Sequence, residues 1–314
     1  DGRWLDTTWT PIGCRHRAYT QESFGACGRA RSAGPTRPFW VLLVGDSLMR
    51  GVFFDLLDVL LHPEKIDRGW GKRLFQLARF EVNETDSALN GQQLDFTRHG
   101  VRVRIASGPL YELQQKNLSV EEIRSLLFLD RKRWVHTPDA IVLGLSSAWE
   151  TKFGNIAADV LPPLGRLLEA VAEAPADVIW LSPAAIHLNR LKGQRPKKSK
   201  RERSACELAR DSQCQPKGFH WMTFQRSSLY SRVTTAITRA AFARSGRART
   251  RAIVDAWAMT VGAQDWASLE HWDAFYRAKH DGVVSRSIAN TVLNVLCNRF
   301  SLRSAWMDSN AHQE

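Results

Sequence analysis

Apolar residues in this chain fall into short continuous runs, and several of these runs lead into stretches with helical spacing. The strongest run, residues 39–44 (Phe-Trp-Val-Leu-Leu-Val), predicts a strand buried on both faces. It stops at Gly45-Asp46-Ser47, after which Val52, Phe53, Leu56, Leu57, Leu60 and Leu61 recur at helical spacing. Residues 94–106 alternate like a hairpin or a half-exposed strand pair, closed by Ser107-Gly108-Pro109. Residues 138–144 and 177–182 predict further core strands, and 252–255 a short one. Helices are predicted over 120–129, 156–174, 228–245 and 285–297, the second bent or restarted at Pro162-Pro163. Strand–helix alternation of this kind predicts an α/β fold built on a parallel, three-layer sheet.

One segment breaks the alternation. Residues 189–220 hold a basic, apolar-poor run from Lys192 to Arg203, which reads as a solvated loop or as a clamp for an acidic polymer. The division expected is an N-terminal extension, 1–38, and a main domain, 39–314, carrying the basic loop 189–220.

Composition narrows the partners. A chain of 314 residues with 44% hydrophobic content and twelve tryptophans is long and apolar enough to bury a full core. The net charge of +12, from 44 basic and 32 acidic residues, favours polyanionic neighbours: acidic glycans, nucleic acid or an anionic membrane. No helix-turn-helix, zinc-finger or RNP pattern accompanies that charge, so nucleic acid is not the expected partner. No stretch approaches the roughly 18 apolar residues of a membrane span. The sequence begins at Asp1, and membrane attachment is expected only through an anchor preceding it. Asn83-Glu84-Thr85 and Asn117-Leu118-Ser119 are sequons that permit glycosylation in a secretory lumen.

The five cysteines show no zinc-type spacing, and no metal is expected. Cys14 and Cys27 flank an irregular segment before the first core strand, and Cys206 and Cys214 close a short loop. Two readings stand. All are free thiols, or disulfides pin these two loops in an oxidising compartment. In the second reading Cys297 is left over, buried in a C-terminal helix or paired with a cysteine outside the sequence.

The chemistry centres on Ser47. A serine at the carboxyl end of a buried strand, opening a helix, sits where open α/β sheets place their ligands. The helix dipole and nearby backbone N–H groups suit a nucleophile whose intermediate carries an oxyanion. The plain alternative is a tight turn with Asp46 or Ser47 as helix N-cap.

The block Gly45-Asp46-Ser47-Leu48 resembles the first block of the SGNH/GDSL hydrolases. Its context resembles their PC-esterase branch, which includes the trichome-birefringence-like, NXPE-like and cadherin-like/PC-esterase proteins. Those chains carry a Gly-Arg-Trp…Trp-x-Pro…Cys segment ahead of Gly-Asp-Ser-x-x-Arg. Here Gly2-Arg3-Trp4, Trp9-Thr10-Pro11, Cys14 and Cys27 precede Gly45-Asp46-Ser47-Leu48-Met49-Arg50. The resemblance implies an SGNH-hydrolase-like fold, a secretory setting (Golgi lumen or secreted) that favours the disulfide reading, and acyl-ester chemistry on a carbohydrate.

Independently of the resemblance, Ser107-Gly108-Pro109 follows a strand, so two readings stand: the Gly108 N–H donates to an oxyanion, or the segment is a plain turn. The resemblance also implies roles for other segments. Gly144-Leu145-Ser146-Ser147-Ala148-Trp149-Glu150 follows the second core strand, where the family usually carries an Asn or a Gly-His-Trp-like element. No Asn is present, so Gly144, Ser146 or Ser147 must serve or the donor is lost. The family ends with Asp-x-x-His before a helix. Strict alignment puts Asp281 at the Asp and Val284 where the His belongs, and valine accepts no proton. Two outcomes remain open. His280 acts as the base, oriented by Asp281 or Asp273. Otherwise the chain is an inactive PC-esterase-like domain that keeps a glycan-binding cleft. Asp46, Arg50, Trp149 and His187 are candidates for substrate contact, and His220 with Trp221 for a sugar platform. The expected partners are a carbohydrate or polysaccharide, acidic in the reading that uses the basic loop, and an acetyl donor if the reaction is a transfer. No cofactor is required.

Overall fold

The computed structural model describes residues 2–5, 8–11, 16–32, 34, 37–45, 47–61, 93–106, 117–130, 136–144, 156–185, 224–245, 250–261 and 283–310. The chain is α/β, with one mixed, mostly parallel sheet of six strands and a separate two-stranded hairpin. The hairpin pairs β1 (Gly2–Leu5) with β2 (Thr8–Pro11), Trp4 opposite Trp9. Helix α1 (Gln21–Arg31) follows, and then β3 (Phe39–Gly45), in which every residue is buried.

The remaining strands are β4 (Gln93–Arg98), β5 (Val101–Ala106), β6 (Ala140–Gly144), β7 (Asp177–Leu181) and β8 (Arg251–Val254). Their order across the sheet is β4-β5-β3-β6-β7-β8. Five strands run parallel; β4 is antiparallel to β5 and closes one edge. The hairpin expected over residues 94–106 is observed, and it adds one antiparallel edge strand to the parallel sheet. His99 (φ 52°) and Gly100 (φ 79°) form its two-residue turn with both residues in the left-handed region. Such turns match the twist of an antiparallel pair.

Helices cover both faces. Alternate residues of β3 point to opposite sides. Phe39, Val41 and Leu43 pack in one core with α1, α2 (Ser47–Leu61), α6 (Ala256–Val261) and α7 (Val283–Asn310). Trp40, Leu42 and Val44 join the other, with α3 (Val120–Leu126), α4 (Leu161–Ala172) and Tyr230 of α5 (Phe224–Arg244). The bend or restart predicted at Pro162-Pro163 takes the form of a restart. A π-helical turn (Ile156–Val160) leads into α4, and the prolines occupy its first turn, where a missing N–H costs nothing.

The segment expected to be irregular between Cys14 and Cys27 contains most of α1. Its start is capped reciprocally: Thr20 accepts from the Ser23 N–H, and the Ser23 hydroxyl accepts from the Thr20 N–H. Phe24 and Cys27 are buried against the core. The cysteine pairing is corrected as well. Cys27 is bonded to Cys297, 270 residues away on α7, rather than to Cys14; Cys297 is not left over. Cys14, Cys206 and Cys214 lie outside the described residues.

Two Arg–Asp pairs stitch the amino-terminal edge of the sheet. Arg31 pairs with Asp177, donates to the Leu296 carbonyl and stacks over the Phe39 ring, while Asp177 also accepts from the Thr250 N–H at 2.7 Å. Arg37 pairs with Asp139 at 3.1 Å, and Asp139 accepts from the Trp40 N–H. No helix among the described residues is long and apolar enough to cross a membrane.

Candidate active site

With the structural staples at the amino-terminal edge, the carboxyl edge is where the chain order reverses. From β3 the chain moves outward through β4 to β5, then crosses back to β6 on the other side of β3. The carboxyl ends of β3 and β6 therefore flank the crevice in which open α/β sheets bind ligands. Gly45 and Gly144 are register partners at those ends.

Both glycines leave room for the Met49 side chain, and Gly45 for the Gly144 backbone as well. A Cβ on Gly45 would stand 1.9 Å from the Met49 Cγ and 2.9 Å from the Gly144 carbonyl oxygen. A Cβ on Gly144 would meet the Met49 Sδ at 2.5 Å. Met49, 1% exposed, thus lies directly over both strand ends and seats the first turn of α2 on the switch point. Ser47 is the first residue of that helix and Arg50 belongs to the same turn. A strand ending at Gly45 and a helix beginning at Ser47 are observed, in the predicted order.

The other predicted site residues, Asp46, Gly108, Ser146, Ser147, Trp149, His187, Asp273, His280 and Asp281, lie outside the described residues, as do His220 and Trp221. The strands that precede several of them are described. β3, β5, β6 and β7 are parallel, so their carboxyl ends, Gly45, Ala106, Gly144 and Leu181, lie along one edge. Residues 46–47, 107–109, 145–150 and 182–187 each follow one of these ends in the sequence.

Val284 is described, and its role is packing. It sits in the first turn of α7, 2% exposed, within the core shared with α2 and β3. An imidazole at that position would replace apolar contacts, and the valine itself accepts no proton.

Two features at this end of the fold were not anticipated. At the ends of β7 and β8, the Ser182 hydroxyl donates to Asp255 (3.2 Å) and accepts from the Trp257 N–H (3.0 Å), and Asp255 accepts from the Ala258 N–H (3.0 Å). This network caps α6 and ties the two strand ends together. Second, α2 carries two buried acids, Asp55 and Asp58, against Ser285 and Arg286 of α7. Burial is the main force pushing the Asp55 carboxyl up to about 7; Ser285 and Arg286 oppose the rise and Asp58 adds to it. Burial likewise raises Asp58, against the pull of Arg286. The sequence signal was present: an acid pair three apart inside Phe53-Phe54-Asp55-Leu56-Leu57-Asp58 falls on one helix face.

Among the described residues, no group of three or more His, Cys, Asp or Glu is placed to hold a metal ion. Compared with known proteins, the chain matches no protein-family profile and has no significant match among curated proteins.

Proposed function

We propose that the chain is a serine-dependent O-acyl, chiefly O-acetyl, esterase or O-acetyltransferase acting on carbohydrate. One observation carries the reading: Gly45-Asp46-Ser47 follows the central strand, and α2 begins with Ser47 at the topological switch point. In the proposed reaction the Ser47 Oγ attacks the acyl carbonyl and passes its proton to His280. The tetrahedral oxyanion is held by the Ser47 and Gly108 N–H groups, with Ser146 or Ser147 as further donors. The sugar alkoxide then leaves with the proton from His280. Water, or an acceptor sugar hydroxyl in a transferase, attacks the acyl-enzyme with His280 again as base. Asp281 or Asp273 orients the imidazole, and Asp46, Arg50, Trp149 and His187 face the substrate. The buried Cys27–Cys297 disulfide favours an oxidising compartment, and a secretory, Golgi-type lumen or secretion is proposed on that ground.

The test is p-nitrophenyl acetate turnover with intact-mass detection of an acetyl-enzyme. The wild type is expected to acetylate, Ser47→Ala to lose both signals, and His280→Ala to lose turnover by about 10⁶. The buried Val284 favours a second reading, an inactive domain that binds glycans. A wild type as inert as Ser47→Ala, with binding on a glycan array, would establish that reading instead.

A further inference from the structure

Helix α2 buries an apolar face against the sheet and α7, with two exceptions that meet the first turn of α7. Asp55 is 1% exposed and Asp58 7%. Ser285, also buried, reaches the Asp55 carboxyl, and Arg286 extends in from the surface to 3.8 Å from the Asp58 Oδ2. Neither Asp55 oxygen completes a hydrogen bond of good geometry.

The other elements packed on α2 bring no described charge to this place. α1 turns Phe24 and Cys27 inward, and its Gln21 amide donates to the Leu60 carbonyl. β3 and β5 present Val41, Leu43, Val103 and Ile105. The β5 arginines lie on the opposite face, Arg102 over the Trp40 ring and Arg104 over the Phe128 ring. Among the described residues, the cation that bears on Asp55 is Arg286.

The location matters because of what the two helices carry. Ser47 opens α2, and His280-Asp281 immediately precede α7 in the sequence. At a rise of about 1.5 Å per residue, Asp55 stands about 12 Å along α2 from Ser47. Whatever fixes the first turn of α7 on α2 therefore governs how the two catalytic candidates are spaced.

We infer that Asp55 is a positioning residue: in its neutral form, beside Ser285, it lets the first turn of α7 pack closely on α2, and in its charged form it loosens that contact. The contact itself does not depend on the acyl-transfer reading; its effect on catalysis rests on that reading. Because Asp55 titrates near 7 in the fold but near 3.8 as a free carboxyl, the folded state holds its proton over a window in which the unfolded chain has lost it. The stabilisation is full below the lower value and is lost as pH rises through the upper one.

The experiment uses the full chain and its Asp55→Asn, Asp58→Asn and Ser285→Ala variants. Hydrogen exchange of the first-turn amides of α7, corrected for intrinsic rates, and the urea midpoint are read at pH 5 and pH 8. In the wild type, exchange should quicken and the midpoint fall at the higher pH; in Asp55→Asn both changes should be clearly smaller, leaving the part that belongs to Asp58. Equal pH dependence in wild type and Asp55→Asn, or dependence lost only in Asp58→Asn, overturns the inference. If Asp55→Asn does not fold, Ser285→Ala decides: losing a group that favours the charged form should move the exchange transition to higher pH, and an unmoved transition overturns the inference. The ratio of Asp55→Asn to wild-type acetate turnover, in which His280 titration cancels, should rise from pH 5 to pH 8. A flat ratio in an active enzyme overturns the catalytic role and leaves the acyl-transfer reading intact. An inert wild type removes that reading, while exchange and stability still decide the helix contact.

Discussion

Met49 shows how one side chain fixes a site. Its thioether lies over Gly45 and Gly144, and either glycine with a Cβ would intrude on it. Gly45→Ala is the more severe change, because the new methyl also meets the Gly144 carbonyl oxygen, which has little room to move. We predict a loss of about 2 kcal/mol in urea unfolding, typical of overpacking. Acyl turnover should fall as well, since the first turn of α2 must shift. Adding Met49→Ala should return part of the Gly45→Ala loss, a coupling that a double-mutant cycle measures directly. Glycine before the serine was legible in the sequence. Its reason was not, because the Met49 contact joins two strands far apart in the chain.

Among the elements, the contrast between β3 and α1 is instructive. β3, β6 and β7 were legible because parallel strands buried on both faces read as continuous apolar runs. α1 was not: its apolar residues are few, and its cap pairs Thr20 with Ser23 rather than with the glutamate or glutamine that marks a capping box in sequence. α1 acquires its place through α7, by the Cys27–Cys297 bond and by Arg31 donating to the Leu296 carbonyl. Reduction, or the Cys27→Ser/Cys297→Ser pair of changes, should therefore cost about 3–5 kcal/mol in guanidinium unfolding. The spacing of the cysteines gave no hint of this partner, since connectivity is a property of packed helices and not of proximity in the chain. Asp55 and Asp58 were visible as letters in α2 but acquire significance only when α7 covers them.

For the whole molecule, the sheet order decides which strand ends are neighbours, and the net charge acts beyond them. Parallel strands bring their carboxyl ends to one edge, so segments scattered from residue 46 to residue 187 follow strand ends that are neighbours. That convergence was legible in the strand–helix alternation, and the antiparallel pair in the alternating residues 94–106; its place at the sheet edge was not, because strand order is set by packing between distant segments. The net charge of +12 acts at longer range. Retention on an immobilised acidic polysaccharide should weaken steeply with added salt, whereas retention on a neutral one should not, because only the first depends on unscreened attraction.

The bond between Cys27 and Cys297 also sets an order of events in biogenesis. The two cysteines are 270 residues apart. At ribosomal rates of about 5–20 residues per second, Cys27 waits on the order of 15–50 s for its partner to be synthesised. Cys14 is on the nascent chain from the start of that interval, and Cys206 and Cys214 join it before Cys297. The native bond therefore forms late, and any early Cys14–Cys27 bond must be exchanged for it. Yield in a cell should then depend on a disulfide isomerase rather than on oxidising power alone.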